Sequence, residues 1–525
     1  MPRFVSKVST LSEAFKTNRT EMLALTTKLG ELNHRAFHES EKRKPRFDER
    51  GQLTPRERLS RLLDPGLAFL EIGNMAGSLL DTDDQERSVP GGSVIDDSGI
   101  NAGAMTQAGG YRLRRCQEIA LAKKLPFIHL VESAGANLMK YTVEGFVAGG
   151  GLFANLARLS AAGIPVITVL HGASTAGGAY MPGLSDYVVA IRGRGKAFLA
   201  GPALLKAATG EVASEEELGG AEMHASVSGL AEYLAEDDGH GLIIAREVVA
   251  RLQWNARCPR RENPMAAEPQ YDSDEIAGIV PLDYRKPYDV REVVARVVDG
   301  SEFLDFKPVY GASTVCLQAE VYGHGFGLLG NNGPIDPDGA TKATQFMQLC
   351  DQAQIPLVFF QNTTGYLVGA QYERAGMIKH GSKMIQAVTN VSVPRLTFMI
   401  GASFGAGNYG MCGRGYNPDF VFSWPNTKTG VMGGAQAART MSQVMMAGAE
   451  RRGAAMDAAQ MKAQEAMLTQ HFDGQSDAFY TSGRMLDDGL IDPRDTRKVL
   501  GFLLDTCWEG SHRKAAPNSF GIARM

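Results

Sequence analysis

The apolar pattern of the chain states one phrase twice. IPVITVL (Ile164 to Leu170) and VPRLTFMI (Val393 to Ile400) are largely apolar runs that begin at an X-Pro pair. Each passes into glycine: HGASTAGGAYMPG from His171 to Gly183, and IGASFGAGNYGMCG from Ile400 to Gly413. A short apolar run bounded by turn residues predicts a buried strand, here entering a glycine turn and then a helix. Upstream of each, a helical segment leads through another X-Pro pair into a strand, LPFIHLVESAGANL in the first half and IPLVFFQNTTGYLVG in the second. Aligning Leu125-Pro126 with Ile355-Pro356, Gly135 with Gly365 and Gly172 with Gly401 gives offsets of 230, 230 and 229 residues. A constant offset predicts a tandem duplication of one domain built of alternating strands and helices.

Elsewhere the pattern is less regular. Leu11 to about Lys44 predicts a long polar helix, with Leu23, Leu25, Leu29 and Leu32 near helical spacing, lying across the surface or a neighbouring subunit. GQLTPRERLSRLLDPG predicts a helix started near Thr54-Pro55 and stopped at Asp64-Pro65-Gly66. YDVREVVARVVDGSEFLDF predicts a helix and then an edge strand, and RRENPMAAEPQYDS has linker composition. The expected organisation is an N-terminal domain over 1–260, a linker over 261–275 and a C-terminal domain over 276–525.

Composition narrows the classes. The chain has 525 residues, 44% apolar and 21% charged, with a formal net charge of -4. With no basic excess and no long uncharged apolar run, neither nucleic acid nor a membrane is expected as a partner. Six scattered cysteines without metal-ligand spacing read as thiols of a reducing compartment. The N-terminus lacks a secretory apolar region and carries Glu13 and Glu21, so a cytoplasmic location is expected.

The candidate chemistry lies in the glycine turns. Glycine lets backbone N–H groups approach a ligand closely, so each turn can serve as an oxyanion hole: Gly177 and Gly178 in the first half, Ala406 and Gly407 in the second. A single such turn reads as well as a tight bend without chemistry; the duplication favours two sites, for two substrates that each build negative charge on a carbonyl oxygen. No HExxH metal motif is present. Ser174 three residues after His171 reads as structural rather than as part of a triad. Arg112, Arg114, Arg115, Lys123 and Lys124 could meet the phosphates of a carrier such as coenzyme A, or be a solvated helix face.

Several motifs together are specific. They are STAGGAYMPGLSDYVV (Ser174 to Val189), FLAGPALLKAATGEVASEEELGGAEMH (Phe198 to His224), NTTGYLVG (Asn362 to Gly369), IKHGSKMIQAV (Ile378 to Val388), GASFGAGNYGMCGRGYNP (Gly401 to Pro418) and NSFGIARM (Asn518 to Met525). Through them the chain resembles, over nearly its full length, the carboxyltransferase (beta) subunits of biotin-dependent acyl-CoA carboxylases, in the branch of methylcrotonyl-CoA and geranyl-CoA carboxylases.

The resemblance implies an α/β fold of two tandem crotonase-like (ClpP/crotonase ββα-spiral) domains. It implies a hexameric core of an alpha6-beta6 complex, with active sites between the N-domain of one chain and the C-domain of another. Biotin, as carboxybiotin, would come on a separate biotin carboxylase/biotin carboxyl carrier (alpha) subunit, since this chain has no AMKM-type biotinylation site. Coenzyme A would come as part of the acyl-CoA substrate, and no metal is expected. Carried over, Gly177 and Gly178 hold the acyl thioester oxygen, and Ala406 and Gly407 the ureido oxygen of biotin. Ala134, Gly135, Ala154, Ala176, Gly333, Thr364, Gly365, Phe404, Asn408 and Tyr409 become substrate-binding positions.

Two departures stand out: the sequence passes from Ile95 directly to Asp96 where related chains carry a strand pair, and NAGAM (Asn101 to Met105) replaces a Lys-Gly-Gly. Ala154 stands where methylcrotonyl-specific chains carry phenylalanine, which by volume makes room for a longer, geranyl-like acyl group. The rival readings are the equivalent subunit of a biotin-dependent decarboxylase, and a non-catalytic acyl-CoA-binding scaffold.

Overall fold

In the computed structural model of the chain, residues 2–67, 69–80, 84, 88–90, 104–133, 135–136, 142–261, 266–451 and 458–523 are described. They form two compact units, residues 31–261 with 506–525, and residues 1–30 with 262–505.

The first unit carries strands β1 (Ala104–Met105), β2 (Phe127–Ser133), β3 (Gly135–Ala136), β4 (Val166–Thr175), β5 (Tyr187–Ile191), β6 (Lys196–Phe198) and β7 (Tyr233–Ala235). Its main sheet runs β2-β4-β5-β7, all parallel, with β6 also pairing β4. A parallel sheet needs both faces covered, which is why β4 and β5 are apolar without alternation. One face packs the helices Gln107–Lys123 and Val143–Ala161 through Leu113, Leu156, Val131 and Leu170. The other packs the helix Asp238–Arg251 through Ile167, Val169, Val189 and Ala245.

The second unit carries β8 (Phe303–Asp305), β9 (Thr314–Val321), β10 (His324–Asn331), β11 (Leu357–Thr363), β12 (Arg395–Phe404), β13 (Phe420–Ser423) and β14 (Lys428–Gly430). The order is β13-β12-β11-β10-β9-β8, with β14 on β12 and β8 as the expected edge strand. Strands β10 to β13 are parallel, and β9 and β8 add an antiparallel extension. The helices Pro337–Gln352 and Met377–Asn390 cover one face through Phe346, Met384 and Val388.

The duplication is visible residue by residue. Phe127 pairs Val166 as Leu357 pairs Arg395, and Ala173–Thr175 pair β6 as Ala402–Phe404 pair β14. The short pair β1 and β3, with Met105 opposite Ala136, is echoed by the single bridge of Ile335 to Tyr366.

Two expectations need correction. The long helix spans Glu13–Glu41, but Phe15, Met22, Leu29, Leu32 and Ala36 are buried, so it is a core element rather than a surface strap. A single cut over 261–275 also misassigns the ends of the chain. Residues 1–30 group with the second unit, where the Phe4 N–H donates to the Ser301 carbonyl and the Phe15 ring lies against Gly278. Residues 506–525 group with the first, where the Asn518 N–H donates to the Ala161 carbonyl and the Ile522 N–H to Ser160 Oγ. The jump at Ile95–Asp96 and residues 101–103 of NAGAM lie outside the described residues.

Candidate active site

At the end of β4 the chain enters a helical turn at Ala176–Ala179, and at the end of β12 a helix at Gly405–Gly410. Gly177 and Gly178 are the second and third residues of the first turn; Ala406 and Gly407 are the second and third of the other. The first N–H groups of a helix have no acceptor within it. Neither N-cap, Thr175 or Phe404, covers them with a side-chain hydrogen bond. Each turn therefore begins with adjacent N–H groups that no capping side chain covers, at the positive end of a helical turn.

The turns match in detail. Gly177 and Ala406 are exposed, Gly178 and Gly407 buried, and Tyr180 and Tyr409 exposed. Ala176 has φ 52° where Gly405 has φ 54°, so the first half holds an L-residue in the left-handed region that its counterpart fills with glycine. A Cβ on Gly178 would come 3.0 Å from Ser174 Oγ; on Gly407 it would come 2.8 Å from both the Gly365 Cα and Thr363 Cγ2.

A second loop faces each turn. The Gly135 N–H donates to Ser133 Oγ over 3.2 Å, and the Gly365 N–H to Thr363 Oγ1 over 3.3 Å. Both glycines have positive φ, 83° and 115°, and a Cβ on each would lie 3.5 Å from a carbonyl oxygen at the end of the facing strand, Thr175 or Phe404. Thr364 is exposed beside Gly365, while Ala134, its counterpart, lies outside the described residues. Gly333 lies in the loop after β10, two residues before Ile335, whose N–H donates to the Gly365 carbonyl.

Other candidates are placed differently. Asn408 donates its amide to Ser403 Oγ at 2.7 Å, so this side chain braces the turn. Phe404 is buried edge-on against Tyr284. On the helix Val143–Ala161, Ala154 is exposed, whereas the neighbouring Phe153 ring lies against Gly177 and packs T-shaped on Tyr180 at 6.0 Å. The sequence reading chose the alanine and passed over the aromatic that touches the turn.

His171 and Ser174 form no pair: His171 Nδ1 lies 3.0 Å from Asp238 Oδ1, and Ser174 Oγ is buried without a partner. Of the basic residues, Arg112 is buried against Glu71 and the Ile72 carbonyl, and Lys124 donates to the Arg513 carbonyl. Those two are structural. Arg114 lies over the Tyr111 ring beside Glu118.

Four residues that sequence reasoning did not connect meet behind the first turn. Arg58 donates to Glu132 Oε2 over 3.0 Å and, through Nε, to Asp238 Oδ2 over 3.1 Å. Asp238 also receives the Leu53 N–H, and it faces His171. Although burial opposes ionisation, the hydrogen bond from His171 and the charges around it hold the Asp238 carboxyl at about 2. Burial, with the Arg58 charge, lowers the pKa of His171, so the imidazole is neutral near pH 7 and donates from Nδ1.

Among the described residues, no cluster of three or more His, Cys, Asp or Glu is arranged to hold a metal ion, and no helix is long and apolar enough to cross a membrane. None of the six cysteines is in a disulfide bond, and Cys316, Cys350, Cys412 and Cys507 are buried.

Known proteins share both the sequence and this architecture. Residues 47–521 match the family model of the carboxyl transferase domain. A probable biotin-dependent acyl-coenzyme A carboxylase beta2 subunit of Mycobacterium tuberculosis is 47% identical, over 91% of this chain and 92% of its own. The mitochondrial methylcrotonoyl-CoA carboxylase beta chain of Arabidopsis thaliana is 41% identical, over 98% of this chain and 90% of its own. The crystal structure of the beta subunit of P. aeruginosa geranyl-CoA carboxylase superposes with a TM-score of 0.92 at 50% identity, each chain covered in full. The duplicated α/β units are thus crotonase-like repeats, and the chain belongs to the carboxyltransferase (beta) subunits of the biotin-dependent acyl-CoA carboxylases.

Proposed function

We propose that the two turns divide one carboxyl transfer between them. The Gly177 and Gly178 N–H groups hold the thioester oxygen of an acyl-CoA, and those of Ala406 and Gly407 hold the ureido oxygen of biotin carried on an alpha subunit. The observation that carries this reading is the pair of uncapped turns in the same register, each with one exposed and one buried N–H position. The buried glycines fit it, since a Cβ at 407 would crowd the facing loop at Gly365 and Thr363, and one at 178 would come 3.0 Å from Ser174 Oγ.

When bound, carboxybiotin supplies the carbon dioxide and, once that has left, the base that takes the substrate proton. The chain has the electrostatic part. As the acyl-CoA loses its proton, charge moves onto the thioester oxygen, where Gly177 and Gly178 stabilise it; a lost donor of this kind costs about 3 kcal/mol of transition-state stabilisation. Gly135 and Gly365 keep the facing loops close without a side chain in the way. Such turns can also exclude water from the charge they stabilise.

For the substrate we propose a branched enoyl-CoA of geranyl size. Ala154 is small and exposed next in sequence to the Phe153 that touches the turn, and the 50% identity to the geranyl-CoA carboxylase beta subunit, against 41% to the methylcrotonoyl-CoA chain, supports this choice. In carboxylation assays with the alpha subunit, kcat/KM for geranyl-CoA should exceed that for methylcrotonyl-CoA by at least about tenfold. Equal or better turnover of the short substrate would overturn this. Streptavidin capture from the native source should retrieve the chain with a biotinylated partner, in a complex built on a hexamer of this subunit.

A further inference from the structure

We propose that Glu132, Arg58, Asp238 and His171, linked in that order and closed into a ring only through the backbone of β2 and β4, set the aim of the Gly177–Gly178 turn, making these four side chains positioning residues for the acyl-CoA half of the reaction. The inference rests on the reading of that turn as an oxyanion hole.

The sheet breaks just before this turn. Strands β2 and β4 pair in register up to Val131 and Leu170, and resume at Ser133 and Ser174. Glu132 alone therefore stands opposite His171, Gly172 and Ala173, and the ladder hydrogen bonds are interrupted where the chain bends toward the turn. Such a bulge redirects the strand beyond it, and its own geometry must be held by something other than the ladder.

The second half holds the same break differently. Gln361 pairs Met399 and Thr363 pairs Ser403, with Asn362 alone opposite Ile400, Gly401 and Ala402. There Asn362 Oδ1 accepts the Ala402 N–H at 2.9 Å, so a neutral amide spans the gap directly.

In the first half the same position is a carboxylate, and it turns to Arg58. Arg58, from the helix Pro55–Leu62, joins Glu132 to Asp238, and Asp238 at the start of the helix Asp238–Arg251 joins Arg58 to His171. The ring thus leaves β2 opposite the bulge and returns to β4 inside it. Gln52 Nε2 adds a bond to the His171 carbonyl at 3.2 Å. The Glu132 stem lies tight against the bulge, where a Cβ on Gly172 would meet its Cγ at 2.7 Å. A shift of this carboxylate therefore moves backbone five residues before Gly177.

Two buried charges with a third half-buried beside them are a costly way to stabilise a fold, and apolar packing of equal volume would serve stability as well or better. Ion pairs to a rigid guanidinium add a fixed geometry instead. His171 has Ile400 as its counterpart, so the ring belongs to the acyl-CoA half alone.

The test uses the assembled carboxylase with Glu132→Gln and Asp238→Asn, which keep shape and remove charge. Expected is a fall in carboxylation kcat of at least about tenfold, with KM for the acyl-CoA within about twofold of wild type. Carbon dioxide release from carboxybiotin without acyl-CoA, a biotin-side readout, should be unchanged. Activities are taken per folded oligomer, so lost stability alone does not count. An unchanged kcat, or a parallel fall in both readouts, would overturn the proposal. If neither variant assembles, Gln52→Leu removes only the bond to the bulge and should lower kcat by about threefold, with the same split. Gly178→Pro is the reference: if it leaves carboxylation intact, the oxyanion-hole reading itself fails, whereas loss in Gly178→Pro with full activity in the ring variants defeats only the ring.

Discussion

Replacing Gly407 by alanine should lower carboxylation about 100-fold, the cost of displacing one oxyanion donor, while Gly178→Ala should cost less than about tenfold. The two positions are counterparts, and the difference lies in what surrounds them. At 407 the new methyl would sit 2.8 Å from the Gly365 Cα, 2.8 Å from Thr363 Cγ2 and 3.2 Å from the Gly365 N. Two of those are backbone atoms of the facing loop, and that loop is tied down by the Gly365 N–H bond to Thr363 and the Ile335 N–H bond to the Gly365 carbonyl. The turn has to move, and the Ala406 and Gly407 N–H groups move with it. At 178 the nearest atom is Ser174 Oγ at 3.0 Å, followed by Ser133 Cβ and Oγ at 3.5 Å. Ser174 Oγ makes no hydrogen bond, so it can rotate away at little cost. Steady-state rates of the assembled enzyme, with carbon dioxide release from carboxybiotin measured separately, distinguish the cases. Gly407→Ala should depress both readouts and Gly178→Ala chiefly the first. A harmless Gly407→Ala, or equal losses at the two sites, would contradict the division of labour between the turns.

How much of this was legible in the sequence depends on the range of the interaction. The strands entering both turns, and the turns themselves, are local: an X-Pro pair, a run of large apolar residues and then glycine leave few alternatives. The constant offset then carried one half onto the other, and strand registers repeat it down to the bulges opposite Glu132 and Asn362. What stayed hidden is assembled from distant parts. Arg58 meets Glu132 and Asp238 from a helix far from both in sequence, and no spacing along the chain announces charges that neutralise one another. The helix Glu13–Glu41 looked too polar for a core because its buried residues, including Phe15, Met22 and Ala36, are widely spaced and surrounded by charge. Phe153 was passed over for a different reason: comparing side-chain volumes at 154 does not say which side of the helix faces the turn.

The strand beside the second turn carries a pH dependence of its own. Asp487 is fully buried, its Oδ2 accepting from Ser423 Oγ at 2.7 Å and its Oδ1 from the Gly489 N–H at 3.0 Å. Its neighbour Asp488 takes Arg414 and the Val421 N–H, so Asp487 has no cation of its own among these bonds. Burial therefore dominates and raises the Asp487 carboxyl from 3.8 to about 6. A carboxyl harder to ionise in the folded chain than in the unfolded one costs nothing at low pH. The cost grows as pH rises above the unfolded value of 3.8 and is complete above the folded value of about 6. The displacement corresponds to about 3 kcal/mol. Asp487→Asn removes the ionisation while keeping the side-chain volume and an acceptor for Gly489. The unfolding free energy of the variant, taken relative to wild type in denaturant titrations of the beta subunit, should therefore shift in its favour by roughly 2.5 kcal/mol between pH 4 and pH 8. The steepest change should fall between about pH 4 and 6, wherever the difference itself starts. A pH-independent difference would mean that Asp487 is compensated in the fold, and a shift of opposite sign that it is held ionised. Ser423 ends β13, whose Phe422 and Ser423 pair Phe398 and Met399 of β12. Ionising Asp487 thus strains the sheet position from which β12 runs to the Gly405 turn, and Asp487→Asn should also flatten the loss of thermal stability of the assembled enzyme between about pH 4 and 6.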